Sequence, residues 1–405
     1  MERIILHCDL NCFYASVELL SHPELKDVPT AVCGDPGSRH GIILAKNESA
    51  KRYGVQTAET IWQAKKKCPD LVLLPPHHDL YRRYSVLVNN IYREYTDLVE
   101  PFGIDESWLD VSGTLHLFGG DAKALADTLR KRVREELGLT LSVGVSFNKV
   151  FAKLGSDYRK PDATTIISRE NWQEIVHPLP AKAMLGVGHA AETTLAKYSI
   201  RTIGDIAGAP QELLERLLGK IGLQLHEYAS GMDRSPVIGD ADREPVKSVG
   251  NGTTFPKNLT QMDEVRTGLA LLSDSVAMRL RKQGLYCGGV QVTLRYADFK
   301  TVSRQSRLSA STHLMKDIYE EALALTKVLW AAPAPIRMLT VTALYITEEA
   351  QSYQQMDLLQ TGSAKEHNAK REKLEKAMDG IREKFGHGSI AYGTPKTDLL
   401  RQEEE

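Results

Sequence analysis

Three acidic residues occupy positions from which a chain of this kind could do metal chemistry. Asp9 closes the apolar run RIILHCD, and Asp105 and Glu106 stand side by side in GIDESWLD. Strands adjacent in one sheet can bring such side chains to one edge, where three close carboxylates repel unless cations compensate. A divalent cation is the natural partner. An all-oxygen donor set suits Mg²⁺, which keeps some waters and completes its shell from substrate phosphates. The commoner use of such acids is as solvated strand-end residues, and the letters of two short motifs leave both readings open.

The elements that would position these acids follow from hydrophobic spacing. RIILHCDL reads as a buried strand and FYASVELL as a helix directly after it. TAVCGDPGSRHGIILAKNESAKRYGV reads as strand, turn, strand and helix, with the turn at GDPGSRHG. A helix is expected from His78 to Leu98, offering Tyr81, Val88, Ile91 and Tyr92 to a core, followed by two extended runs around Asp105. DAKALADTLRKRVREELG is helical and TLSVGVSFN a buried strand, so residues 1–167 alternate strands with helices. Residues 172–232 read as short helices only, LPAKAMLG among them, broken by glycines. The polar stretch 233–245, with two prolines, reads as an interdomain linker. A second α/β unit of order βαββαβ follows, with 13 Lys plus Arg against 7 acidic residues between Val246 and Ile346. Beyond residue 360 a helix from Lys365 to Lys384 is charged on nearly every face.

Composition restricts the function classes without naming one. At 405 residues the chain needs three or four folding units. A 42% hydrophobic and 25% charged content is that of a soluble globular protein. The formal net charge of -1 means that a nucleic-acid surface must come from segregated charge, as in the basic βαββαβ unit. Five cysteines without a CxxC pair point to reduced thiols. Residues 1–20 lack the features of a signal peptide, and no run approaches the roughly 20 apolar residues of a membrane span. A cytoplasmic protein without membrane contact is expected.

Taken together, the motifs resemble the Y-family translesion DNA polymerases of the bacterial DNA polymerase IV type. DLNCFYASVE is similar to the family's first motif and GIDESWLD to its second. Further matches are NESAKRYGV, SVGVSFNKVFAKLGSD followed by RKPDA, LGVGHAAETTLAKYSIRTIGDIA and KSVGNGTTF, in order over residues 1 to about 350. The resemblance implies a multidomain α/β fold: a palm (1–18 and 75–167), small fingers (19–74), a helical thumb with a helix-hairpin-helix (168–232), a linker (233–245), a βαββαβ little finger (246–350) and a tail (351–405). It also implies a low-fidelity, template-directed polymerase without proofreading, using two Mg²⁺ ions. Asp9 and Asp105 would ligate both ions, with the Leu10 backbone carbonyl completing one shell and Glu106 on the catalytic ion. Tyr14 would be the steric gate beneath the sugar, and Phe13, Lys51 and Lys160 would belong to the nucleotide site, with Lys153, Arg159 and Lys46 as further cations. Partners would be primer-template DNA, deoxynucleoside triphosphates and a sliding clamp held by Gln355, Leu358 and Leu359 of QMDLL, with the enzyme itself a monomer.

Two positions depart from that pattern. Glu48 and Lys51 stand where many members have Tyr and Arg, and a lysine neutralises charge without Arg's bidentate fork. Asn11 stands where a second Asp is common, so it receives no metal role. Two rival readings compete: a nucleotidyl cyclase or other two-metal enzyme, which would need neither the thumb-like nor the basic domain, and a catalytically silent DNA- and clamp-binding regulator.

Overall fold

The computed structural model describes residues 3–35, 41–348, 363–386 and 388–392. These form two compact units that meet in sequence at Arg243 and Glu244. The first opens with β1 (Ile5–Leu10) and α1 (Phe13–Leu19). An insert follows: β2 (Thr30–Cys33), β3 (Ile43–Lys46), α2 (Glu48–Arg52), α3 (Ile61–Lys67) and β4 (Val72–Leu74). The chain then makes α4 (His78–Arg93), β5 (Val99–Pro101), β6 (Glu106–Asp110), α5 (Ala122–Leu137), β7 (Leu141–Ser146), α6 (Lys149–Tyr158) and β8 (Thr164–Ile167).

The main sheet has strand order β5-β6-β1-β7-β8, with β1 central and antiparallel to both neighbours. Every residue of β1 and of β7 is buried, the polar His7, Asp9, Ser142 and Ser146 included. Leu6, Cys8, Val143 and Val145 pack under α1, α4 and α5 through Val17, Val88, Tyr92 and Leu129. The insert is a separate three-stranded sheet, β3-β2-β4, with its own small core of Ala31, Ile43, Ala50 and Ala64.

Five helices complete the unit: α7 (Trp172–Val176), α8 (His189–Ala196), α9 (Ile203–Gly208), α10 (Gln211–Leu218) and α11 (Lys220–Ala229). They share one core with Phe147, Val150, Phe151 and Leu154 around the start of α6, so this layer is built onto the main sheet's own helix.

Three local expectations require correction. The helix beginning at His78 stops at Arg93, five residues short of Leu98, because the following residues are tied to the sheet: the Thr96 hydroxyl donates to Asp110 O (2.7 Å) and Asp110 N–H to Leu98 O (3.0 Å). LPAKAMLG makes only a short 3₁₀ turn, Ala181–Ala183, with Pro180 before it and Gly186 at φ +92° after it. The stretch read as a linker is anchored over its first half. Lys149 Nζ donates to Pro236 O, Ile238 N–H to Glu100 (2.8 Å), and Val237 is buried with Ile5, Trp108 and Ala152.

The second unit contains β9 (Ser248–Leu259), α12 (Met262–Lys282), β10 (Tyr286–Tyr296), β11 (Thr301–Thr312), α13 (Met315–Leu329), β12 (Ile336–Thr347) and α14 (Ser363–Phe385). Its sheet order is β11-β10-β12-β9, all antiparallel, with α12 and α13 on one face over Val290, Val292, Leu339 and Val341. The opposite face carries Ser303, Gln305 and Arg307, then Gln291, Thr293 and Arg295, then Thr340 and Thr342, then Gly250 and Gly252, as the cross-strand register requires. The charged helix α14 lies against α12. Arg281, 3% exposed, pairs with Glu375 and Asp379, and Arg382 pairs with Asp274 (2.6 Å).

Candidate active site

Antiparallel register between β1 and β6 sets Asp9 opposite Glu106. The Leu10 N–H donates to Asp105 O (3.0 Å), which fixes the turn before β6 against the exit of β1. The strand period of two turns His7 to the same face as Asp9. Donor atoms of His7, Asp9 and Glu106 lie within 4.8 Å of one another, a set that does not include Asp105. Asp105 adjoins it, close enough to feel Glu106, Lys160 and Lys153, and its charge also reaches Tyr14.

Helix α6 and the turn after it supply the counter-charges. Lys160 Nζ lies 2.7 Å from Asp9 Oδ2 and 2.8 Å from Asp157 Oδ1. Lys153 bonds Glu106 Oε2, which is also 3.2 Å from His7 Nε2, while the other ring nitrogen of His7 is 2.8 Å from Ser156 Oγ. Burial raises the Asp9 carboxyl to about 6 despite the opposing Lys160. Glu106 is also disfavoured by burial, but His7 and Lys153 outweigh it and hold Glu106 at about 2. Burial and the neighbouring Glu106 raise Asp105 as well. Lys160 is disfavoured by burial too, but Asp9 and Asp157 overcome this and push it up to about 12. Burial keeps the His7 ring below its usual range.

Four carboxylates, from Asp9, Asp105, Glu106 and Asp157, therefore face two ammonium groups. An electrostatic deficit on hard oxygen donors fits divalent Mg²⁺. Asp9, Asp105 and Glu106 are the residues that could hold it.

Tyr14 is half-buried and stacks on Tyr81 with ring centroids 4.0 Å apart and planes 14° from parallel. The edge of His78 meets it at 5.8 Å. Tyr81 is fully buried; its hydroxyl donates to Glu18 and accepts from His77 N–H (3.0 Å). Phe13 is 3% exposed, and its ring belongs to the main core behind Tyr14.

Asn11, 5% exposed, faces β7. Its amide bonds the hydroxyls of Thr140 and Ser142 and, in the orientation that satisfies its neighbours, accepts from Leu141 N–H (3.2 Å) and Asp162 N–H (3.1 Å). An amide can both donate and accept there, and a carboxylate could not. In the insert, Lys51 Nζ pairs with Glu48 Oε1 (2.6 Å), which also accepts from Cys12 Sγ (3.1 Å). Lys46 bonds the Thr57 hydroxyl (2.8 Å), and Arg159 stays exposed against the Tyr158 ring. Gly188 caps α8 at the start of the glycine-punctuated segment. Gln355, Leu358 and Leu359 lie outside the described residues.

Sequence reasoning missed His7, Asp157 and the pair Glu18 and His77. For His7 a signal existed, since a polar residue two before Asp9 in an otherwise apolar strand shares its face. The others are tertiary partners without a local mark.

Two family models match the chain: the impB/mucB/samB family over residues 8–157 and the impB/mucB/samB family C-terminal domain over residues 246–358. DNA polymerase IV of Acetivibrio thermocellus is 44% identical over 396 residues, 97% of this chain and 97% of that protein. DNA polymerase IV 1 of Bacillus subtilis is 36% identical over 403 residues, 100% of this chain and 94% of that one. Among solved structures, a Y-family DNA polymerase chimera superimposes with a TM-score of 0.76 at 23% identity, covering 85% of this chain and all of the chimera, a likeness of fold.

Proposed function

We infer the reaction from one premise: this chain belongs to the impB/mucB/samB family, as a Y-family polymerase of the DNA polymerase IV type. It is a DNA-directed DNA polymerase of the lesion-bypass class, with a palm, fingers, thumb and little-finger architecture. The register that sets Asp9 against Glu106, a few residues along the chain from Tyr14, is the observation that carries the site assignment.

In this reading the main sheet is the palm, the insert 19–74 the fingers, residues 168–232 the thumb and residues 246–350 the little finger. Asp9, Asp105, Glu106 and the Leu10 carbonyl would hold two Mg²⁺ ions, which supply activation of the primer 3′-hydroxyl and neutralisation of the triphosphate. Lys160 moves from Asp9 to the triphosphate, leaving the Asp9 carboxylate open. Lys153 and His7 both engage Oε2 of Glu106, which leaves Oε1 as the oxygen that would ligate a cation. The stack on Tyr81 keeps the Tyr14 ring in one plane, against which a ribose 2′-hydroxyl clashes.

The second unit holds duplex DNA by its backbone. Its open sheet face is made of hydroxyls, amides and glycine with Arg295 and Arg307, a surface that meets phosphates without reading bases. The thirteen cations counted in sequence are not all available for this purpose: Arg281 is buried in ion pairs, and Arg266 and Lys316 pair within their own helices. No helix among the described residues is long and apolar enough to cross a membrane. In the same reading the enzyme works in the cytoplasm, as a monomer that engages a sliding clamp through residues 355–359.

A catalytically silent DNA-binding protein of the same fold is disfavoured, because all three acids and Lys160 are present. Extension of a primer across an abasic site separates the readings. The enzyme proposed here inserts opposite the lesion in the presence of Mg²⁺; arrest one nucleotide before it on every damaged template would refute the lesion-bypass assignment.

A further inference from the structure

Two lysines of the nucleotide site rest on carboxylates, and the two pairs differ in what nucleotide binding does to them. At Lys160 the exchange would be closed: an ammonium that turned to the triphosphate would leave Asp9 to hold a divalent cation in its place. At Lys51 it is open. Glu48 is the ion-pair partner of Lys51 at 2.6 Å, and it also accepts from the thiol of Cys12 at 3.1 Å. A thiol is a weak donor and does not replace an ammonium.

The cluster borders the catalytic centre. Cys12 lies between Asp9 and Tyr14 in sequence, caps α1, and holds a left-handed backbone at φ 51°, which a residue with a Cβ adopts only when its surroundings fix it. Glu48 begins α2, whose N-cap Asn47 is 5% exposed and bonds Ala50 N–H (2.9 Å), Thr30 N–H and Val28 O, so the helix cannot drift away from the strand beneath it. Burial, and after it the charge of Lys51, disfavours the ammonium of Lys46, whose own bond goes to the Thr57 hydroxyl (2.8 Å).

We propose that Glu48 acts as a latch on the triphosphate subsite. It holds Lys51 through an ion pair, anchors itself to the palm through Cys12, and weakens nucleotide binding because Lys51 must break that pair to reach the incoming phosphates. Glu48 is thus a residue that sets nucleotide affinity, acting through Lys51. Side-chain exposures of 43% for Glu48 and 38% for Lys51 let water offset part of the loss, so the effect is about twofold to fivefold in affinity.

This inference rests on the polymerase reading, and its test is read at equilibrium without chemistry. A primer ending in a dideoxynucleotide is bound to the wild-type enzyme with template and Mg²⁺, and the dissociation constant of the templated deoxynucleoside triphosphate is measured by fluorescence anisotropy. The same is done for Glu48→Gln, Lys51→Met and the double variant. Glu48→Gln is expected to lower the dissociation constant about twofold to fivefold and Lys51→Met to raise it, while Glu48→Gln has no effect in the Lys51→Met background. An unchanged or raised constant in Glu48→Gln overturns the latch, as does an equal gain with and without Lys51. Wild type that takes up no nucleotide into the complex, and adds none to an unblocked primer, contradicts the polymerase reading itself.

Discussion

The gate proposed for Tyr14 requires a ring that cannot turn aside, and the restraint on that ring comes from its packing partner. The ring lies flat on Tyr81, whose hydroxyl is fixed by Glu18 and His77. Tyr14→Ala should raise ribonucleotide use relative to deoxynucleotide use by an order of magnitude or more, about 1.4 kcal/mol per tenfold; an unchanged ratio refutes the gate. Asp9 gives a prediction in pH. Its carboxyl, raised by burial to about 6 in the metal-free protein, must ionise to ligate a metal, so Mn²⁺ affinity measured by electron paramagnetic resonance should fall about tenfold from pH 7 to pH 5. The same raised value means that the ionised form is disfavoured in the fold above pH 6 and that the penalty disappears as pH falls toward the ordinary carboxylate range. Asp9→Asn should therefore stabilise the metal-free protein by about 3 kcal/mol at pH 8, and not at pH 4, by thermal unfolding. Asp9, Asp105, Glu106, Tyr14 and Lys160 could be singled out in the sequence as candidates because each lies inside a motif of fixed spacing. The partners that tune them come from across the sheet, where no spacing shows them.

At the scale of elements, the distance between α6 and the main sheet sets the site's counter-charges. Gly144 on β7 faces α6 so closely that an added Cβ would lie 1.9 Å from Ala152 O, and Gly155 approaches from the helix side. Gly144→Ala must push α6 outward, and with it Lys153, Ser156 and Asp157. It is expected to cost about 1–3 kcal/mol by chemical denaturation and to lower turnover, whereas full activity would show that α6 does not set the site. In the second unit α14 is held by buried charge. Removing Arg281 alone strands Glu375, 3% exposed, so Arg281→Leu should destabilise by about 3–5 kcal/mol and Arg281→Leu with Glu375→Leu by markedly less, read from thermal unfolding. Strands and long helices were legible from periodicity. The docking of α14 was not, because a helix charged on nearly every face looks solvated until its acids meet a buried Arg281.

Across the whole molecule, a chain of net charge -1 must grip a polyanion with local surface alone. Arg295 and Arg307 on the open face of the second unit are the clearest candidates. Replacing both by Ser should reduce the slope of log affinity for primer-template DNA against log salt by about 0.9 for each phosphate that is no longer neutralised; an unchanged slope would move the DNA to another face. The order of architectures along the chain was legible from the switch between alternating strands and helices, helices alone, and a basic βαββαβ run. The sharing of one core between α6 and the short helices was not, since it depends on which faces meet. Single-nucleotide primer extension on a defined template with Mg²⁺ puts the carboxylate site to its plainest test. Wild type should add the templated deoxynucleotide, and Asp105→Ala with Glu106→Ala should reduce the rate by several orders of magnitude. Equal extension by both proteins, or none by wild type, would contradict the assignment of this site.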